Sequence, residues 1–196
     1  MTFLYRLLFL LPLFLYGQGE YDPKEPLKPL THELVPLSKT VFKVIDLRTG
    51  RERIVDLTGK DFILVSVRER GSDGRFYAVD RDGTVWLSGA VASGAPQFRS
   101  PSGVFHILQK QRHHMSRAYP DENGVNNMDF MMQFTKWGHA LHKGSVEWLS
   151  HGCIHVDPRD VWALYRWSRI GMPVVITRHT YMPFAQEDLR RIYIGG

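Results

Sequence analysis

The chain has 196 residues, 43% of them hydrophobic, which suits one domain with a continuous core rather than several. A formal charge of +5 gives a basic surface able to meet an anionic polymer or a membrane. No basic run or basic-aromatic interleave accompanies that charge, which counts against nucleic acid, and a single cysteine excludes an internal disulfide framework.

Residues 1–19 carry one early charge, Arg6, followed by the apolar run Leu7 to Tyr16 and the small residues Gly17 and Gly19. The run is shorter than the roughly 20 residues of a membrane span and matches the apolar part of a signal peptide. This predicts export to the periplasm or cell envelope, with the segment a weak anchor if it is retained. No cysteine near the junction supports a lipid-modified terminus. Residues 20–40 read as a linker, because Pro23, Pro26, Pro29 and Pro36 remove backbone donors and favour an extended, unpaired chain.

A domain over residues 41–178 then follows, mainly β. Val41–Asp46 predicts a first strand, and Phe62–Val67, Phe76–Val79 and Thr84–Leu87 predict three more, separated by the turn signals Gly71-Ser72-Asp73-Gly74 and Arg81-Asp82-Gly83. Gly89, Gly94 and Pro96 signal a loop, and Val104–Leu108 another strand, in which His106 reads as a sheet-surface or core side chain. Residues 109–127 are polar and aperiodic, a pattern of mobile or functional loops, with His113 and His114 read as solvated or as the rim of a groove. Met128–Thr135 predicts a strand, and Trp137-Gly138 turns the chain into a strand over His139–His142.

The segment Ser150-His151-Gly152-Cys153-Ile154-His155 holds the only cysteine, set between histidines and beside a glycine. A thiol reacts as thiolate, so an imidazole nearby and backbone amides able to hold an oxyanion point to acyl transfer. The alternative is a lone cysteine packed as a small hydrophobe. Export weighs against that alternative, since an unpaired cysteine outside the cytoplasm is either intermolecular or a reactive thiol.

Strand alternation puts His139 and His142 on opposite faces, so only one meets Cys153. His142 is the better placed, because Lys143-Gly144 opens a short loop returning to Ser150, and the loop through Trp148 can wall a pocket. Downstream, Asp157-Pro158 starts a helix with Asp157 as its cap, Gly171 and Pro173 end it, and Pro173–Thr177 is a last strand. Residues 179–196 form a tail with one or two helical turns near Phe184–Arg190.

Ser150 to Ile154, preceded by Ala140-Leu141-His142 and followed by the Asp-Pro helix start, resembles the catalytic motif of the L,D-transpeptidase (YkuD-like) family. Ser93-Gly94 and Ser100-Pro101-Ser102-Gly103-Val104-Phe105 are similar to that family's Ser-Thr-Gly and Thr-Pro-Thr-Gly-x-Phe segments. The run from Met128 to His142 resembles its short-loop bacterial branch. The likeness extends from about residue 60 to residue 178.

It implies a YkuD-like β-sandwich or mixed sheet, with one helix after the cysteine motif, acting on peptidoglycan stem peptides in the cell envelope. Cys153 would attack the carbonyl of the third stem residue and release the terminal D-alanine. An amine on a second stem or on an envelope protein, or else water, would then take the acyl group. His142 would be the general base, and the Gly152 and Cys153 amides would hold the oxyanion, a contribution of roughly 3 kcal/mol per donor. His151 and Ser150 would orient the site. Ser150, His155, Trp148 and Lys143 are the candidate substrate-binding residues. His155 departs from the family's Arg or Asn, which bears on recognition of the donor carboxylate, and the loop before Ser150 is short. No cofactor or metal is expected, and a monomer is.

Two other readings use the same residues. His139, His142, His151, Cys153 and His155 are metal-type ligands for an exported zinc or copper protein, although their spacing is not that of a structural site. A non-catalytic envelope-binding module with a degenerate site is the other, drawing on Lys143 and His155.

Overall fold

A computed structural model describes residues 27–116 and 126–194. The expected signal segment over 1–19 lies outside the described residues, as do Pro23, Pro26 and Pro120.

Three strands, β1 (His32–Pro36), β2 (Val41–Asp46) and β3 (Glu52–Asp56), form an antiparallel meander in which Leu34 faces Val44 and Phe42 faces Val55. Residues 32–36, expected to be extended and unpaired, are therefore a strand. Pro36 is tolerated because it ends an edge strand that pairs only with β2, where no donor is required on the outer side. The apolar signal is weak because Leu34 alone in β1 is fully buried. β3 gave no pattern to read, since Glu52-Arg53-Ile54-Val55-Asp56 is almost wholly exposed.

The larger sheet contains β4 (Phe62–Ser66), β5 (Arg75–Val79), β6 (Val85–Ala92), β7 (Gly103–His106), β8 (Gln109–Gln111), β9 (Met131–Gln133), β10 (Ala140–Lys143), β11 (Ile154–Val156) and β12 (Pro173–Thr177). Its spatial order is β7-β12-β4-β5-β6-β11-β10-β9-β8. The central β4-β5-β6 hairpins are antiparallel as expected, whereas β12 runs parallel to β4 and β10 parallel to β11, so the sheet is mixed. Every residue of β4 is buried. Its unbroken apolar run marks a strand covered on both faces rather than one.

Two cores result. On one face Ile63, Val65, Leu141, Ile154 and Val156 pack with Val161 and Leu164 of α1 (Val161–Trp167). On the other, Phe62, Leu64, Tyr77 and Val175 pack with Leu34 and Phe42 of the small sheet, and with Tyr181 and Ala185 at α2 (Met182–Ile194).

Several boundaries move for local reasons. β6 continues through Gly89, read in sequence as a loop opener, because Gly89 pairs with Phe76 where an added Cβ would come within 2.2 Å of the Asp160 carboxylate. This is a close-approach glycine, not a turn. β9 is shorter than expected, since Phe130 adopts a left-handed φ of 57° and breaks the extended run. Asp157 caps a turn ahead of the helix rather than the helix itself. Its Oδ1 accepts the Arg159 amide at 2.9 Å and its carbonyl accepts the Asp160 and Val161 amides, so α1 begins at Val161 with no side-chain cap.

The tail forms a 13-residue helix, longer than one or two turns. Its N-terminus is capped from a distance: Asp73 Oδ2, in the β4–β5 turn, accepts the Tyr181 and Met182 amides at 3.1 Å each, Thr180 Oγ1 at 3.0 Å and the Tyr77 hydroxyl at 2.6 Å. Asp188 then ties α2 to the body, meeting Lys39 at 2.5 Å and accepting the Val85 amide at 3.0 Å. Asp73→Ala should lower unfolding free energy by about 2–3 kcal/mol, measured by urea titration, because four donors, three of them in part-buried bonds, lose one acceptor together. An unchanged midpoint would show that α2 docks by its apolar face alone.

Candidate active site

The motif loop is held against the segment that follows β6. Ser150 bridges Gly94 in parallel fashion, the Ser150 amide bonds the Ser93 carbonyl at 2.9 Å, and the Ala95 amide bonds the Ser150 carbonyl at 2.8 Å. Ser100 Oγ accepts the Gly94 amide at 3.0 Å and donates to the Gly152 carbonyl at 2.9 Å. Two glycines make this approach possible. A Cβ on Gly94 would lie 2.1 Å from the Phe98 carbonyl oxygen and 2.8 Å from Gly152 Cα, and Gly152 itself adopts φ 118°.

Within the loop, Ser150 Oγ donates to the Cys153 carbonyl at 2.5 Å and accepts the Gly152 amide at 3.0 Å. The Gly152 N–H, expected to face an oxyanion, is thus engaged by Ser150. In the sequence Gly94 is legible as a loop signal, whereas Ser100 enters only through the family resemblance. Their structural task leaves a trace in the sequence, a Ser-Gly and a Ser-Pro placed between two apolar runs, but nothing there names their partner.

Cys153 is half-buried, with Sγ 3.8 Å from the Gly138 carbonyl. Burial pushes its thiol up from the ordinary value, and the Ala140 amide, which favours thiolate, opposes this less strongly. Strand register then places His142. Leu141 is opposite Ile154, both in the core, and His142 is opposite His155, so His142, His155 and Cys153, one residue ahead of β11, share the other face.

The His142 Nδ1 lies 2.8 Å from the Lys143 carbonyl oxygen. A carbonyl only accepts, so Nδ1 carries the proton and Nε2 is left as the base. Burial, then the neighbouring His155 and His114, press the His142 pKa down to about 4 against the Lys143 bond. Thiol and imidazole are therefore both neutral at rest around pH 7, rather than thiolate and imidazolium.

His139 keeps to the face opposite His142, as expected, stacking on Phe134 of the core that also holds Leu141, and from that side it reaches the Gly152 backbone. Gly138 at φ 97° makes the turn ahead of it, and the Phe134 amide bonds the His139 carbonyl at 2.9 Å, so the pairing of β9 with β10 runs on through His139. Its Nδ1 lies 2.9 Å from Thr135 Oγ1, and its ring edge is 3.2 Å from where a Gly152 Cβ would stand. Burial, followed by the charge of Lys28, lowers its pKa. Lys28 belongs to a segment that borders the site, its amide bonding the Pro96 carbonyl at 3.1 Å.

His155 is turned into the 144–149 loop. Its Nδ1 bonds the Ser145 carbonyl at 2.9 Å, its ring meets His142 edge-on at 5.0 Å, and a Cβ on Gly144 would strike it at 2.6 Å. It anchors the short loop. Lys143 and Trp148, the latter 49% exposed, sit on the rim, and the exposed His151 rests its ring on Phe98 at 4.7 Å. His113 is an exposed partner of Asp129 at 3.5 Å, and His114 bonds Gln111. Among the described residues no group of three His, Cys, Asp or Glu side chains is arranged to hold a metal ion. A thiol on a glycine-permitted turn with a fixed-tautomer imidazole on the same face has the parts that acyl transfer requires.

A comparison with curated proteins finds no match. Among solved structures the fold is similar to the L,D-transpeptidase (Yku) from Stackebrandtia nassauensis, 20% identical with a TM-score of 0.52 over 62% of this chain and 57% of that one. It is also similar to an L,D-transpeptidase from Mycobacterium smegmatis, 17% identical with a TM-score of 0.50 over 75% and 77% of the two chains. For L,D-transpeptidase 3 from Mycobacterium tuberculosis the figures are 16%, 0.50, 76% and 79%. At these identities the likeness concerns the fold, and the chain spans little more than half the length of the first of these proteins. The sequence model of the L,D-transpeptidase catalytic domain matches residues 60–176, more than half of the chain, and this protein therefore belongs to the L,D-transpeptidase catalytic domain (YkuD) family.

Proposed function

We propose that the protein is a cysteine-dependent L,D-transpeptidase of the cell envelope, exported by its N-terminal apolar segment and acting on peptidoglycan stem tetrapeptides. The observation that carries this reading is the shared face of Cys153 and His142, with the His142 tautomer fixed by the Lys143 carbonyl so that Nε2 is the basic atom. Family membership supplies the substrate class.

In the acylation step the Cys153 sulfur bonds to the carbonyl carbon of the third stem residue while its proton passes to His142 Nε2. The resulting oxyanion is met by the Cys153 amide, since Ser150 holds that of Gly152. Collapse breaks the bond to the terminal D-alanine, whose nitrogen leaves with the proton from His142, and a thioester remains. An amine on a second stem or an envelope protein then attacks the thioester, gives its proton to His142, and the thiol is restored. With water in place of the amine the same cycle is an L,D-carboxypeptidase.

A neutral resting pair suits this order of events. Burying a separated thiolate and imidazolium would cost more than burying the neutral forms, and the proton need move only as the carbonyl arrives.

Cys153→Ala should abolish D-alanine release from defined tetrapeptide muropeptides, followed by mass spectrometry, with the circular dichroism of the protein unchanged. His142→Ala should slow release at least about 100-fold, the range of a lost acid-base group. Turnover surviving in the Cys153→Ala protein would remove the thiol from the reaction. Since burial keeps the thiol protonated, alkylation of Cys153 by iodoacetamide should rise about tenfold per pH unit from about pH 7 to about pH 9 without a plateau. A plateau reached between about pH 5 and 7 would instead mean a resting thiolate–imidazolium pair.

A further inference from the structure

A cleft of about 380 Å³ adjoins the motif loop, walled by Arg68, Arg70, Arg99, Glu69 and Leu149, with Gly94 also lining it. Gly94 is the residue packed on Gly152, so the cleft borders the backbone that presents Cys153.

The charges in this cleft do not cancel. Glu69 is the one carboxylate lining it and is already shared. Its Oε2 accepts from Arg178 Nε at 3.1 Å, while Oε1 stands 3.6 Å from Arg99 Nε, close enough to pair but too far for a hydrogen bond. Arg99 Nε is buried with no hydrogen-bond partner. Arg178 is further committed to the Ser100 carbonyl and to Ser102 Oγ. Arg68 donates from Nη1 to the Val146 carbonyl, which keeps the 144–149 loop as a wall. Arg70 is exposed.

A neighbouring cleft shares Arg68 and Glu69 but adds Asp73 in place of Arg70 and Arg99, so the excess of positive charge belongs to the cleft that borders the motif. Concave walls with three guanidiniums and one shared carboxylate focus a positive potential. Arg99 Nε is shut off from the cleft, but 24% of its side chain stays exposed, and the group that matches a guanidinium fork in shape and charge is a carboxylate.

We infer that the cleft formed by Arg68, Arg70 and Arg99 is a carboxylate subsite, which holds a free carboxylate of the donor stem peptide and thereby aligns the scissile carbonyl with Cys153. The inference rests on the transpeptidase reading above.

The test titrates the full chain carrying Cys153→Ser with a donor tetrapeptide, and with versions in which each free carboxylate in turn is an amide, by calorimetry. Arg70→Gln, Arg99→Gln and Arg70→Lys are made in the same background, with thermal melting as the check on folding. One amidation should weaken binding about tenfold or more, and each Arg→Gln change should do likewise for the acid peptide. The Gln variants should lose little more when given the sensitive amide, and Arg70→Lys should recover part of the loss. Equal affinity of the parent for every peptide overturns the subsite, as does unchanged binding to Gln variants that melt like the parent. Intact mass of the wild-type protein reports the thioester separately. A thioester with charge-independent binding sinks the subsite alone, whereas neither thioester nor binding sinks both readings.

Discussion

The close approach of two backbone segments at Gly94 and Gly152 is the constraint on which the site depends. No side chain fits between them, and four hydrogen bonds from Ser93, Ala95, Ser100 and Ser150 close the seam. A cysteine side chain has little reach of its own, so its placement is decided by the backbone beneath it. By drawing the motif loop onto the end of β6, the seam sets where the sulfur stands relative to Gly138, Ala140 and the face of β10. The same seam engages the Gly152 amide through Ser150.

The electrostatics follow from the depth at which this loop is held. Neither the thiol nor the imidazole has a countercharge that offsets its desolvation, and His155 beside His142 adds a further penalty to any second proton on the pair. Neutral groups are the outcome. A thiol kept protonated at rest is also slow to oxidise, since the thiolate is the form that oxidants attack. The Lys143 carbonyl, by holding Nδ1–H, selects the tautomer without adding charge.

The two cores connect this site to the rest of the domain. β12 contributes to both, Val174 and Ile176 to one and Val175 to the other, and directly beyond its last residue Arg178 reaches Glu69 and the Ser100 carbonyl. The residues that position the motif loop are therefore braced from the buried strand rather than from the surface. The small sheet and α2 cover the opposite face, joined to the β4–β5 turn through Asp73.

The mainly β character, the central hairpins, the last strand and the family were legible in the sequence, because apolar runs and turn residues act through near neighbours and the cysteine motif is compact. Cys153, Gly152 and Ser150 stood out for the same reason. What the sequence could not carry was pairing between distant segments. β1 and β3 show too little burial to leave a periodic signal, Gly89 lies inside a strand because Asp160 crowds it from far along the chain, and α2 is capped by a residue 109 positions from Met182. His139 illustrates the difference most directly. Alternation puts it on the face opposite His142 and it keeps that face, but only the fold shows that the Gly152 backbone packs against it there. Local chemistry thus determined which residues could react, while the tertiary structure alone decided which atoms they meet and in which protonation state, because burial and long-range contacts have no counterpart in residue order.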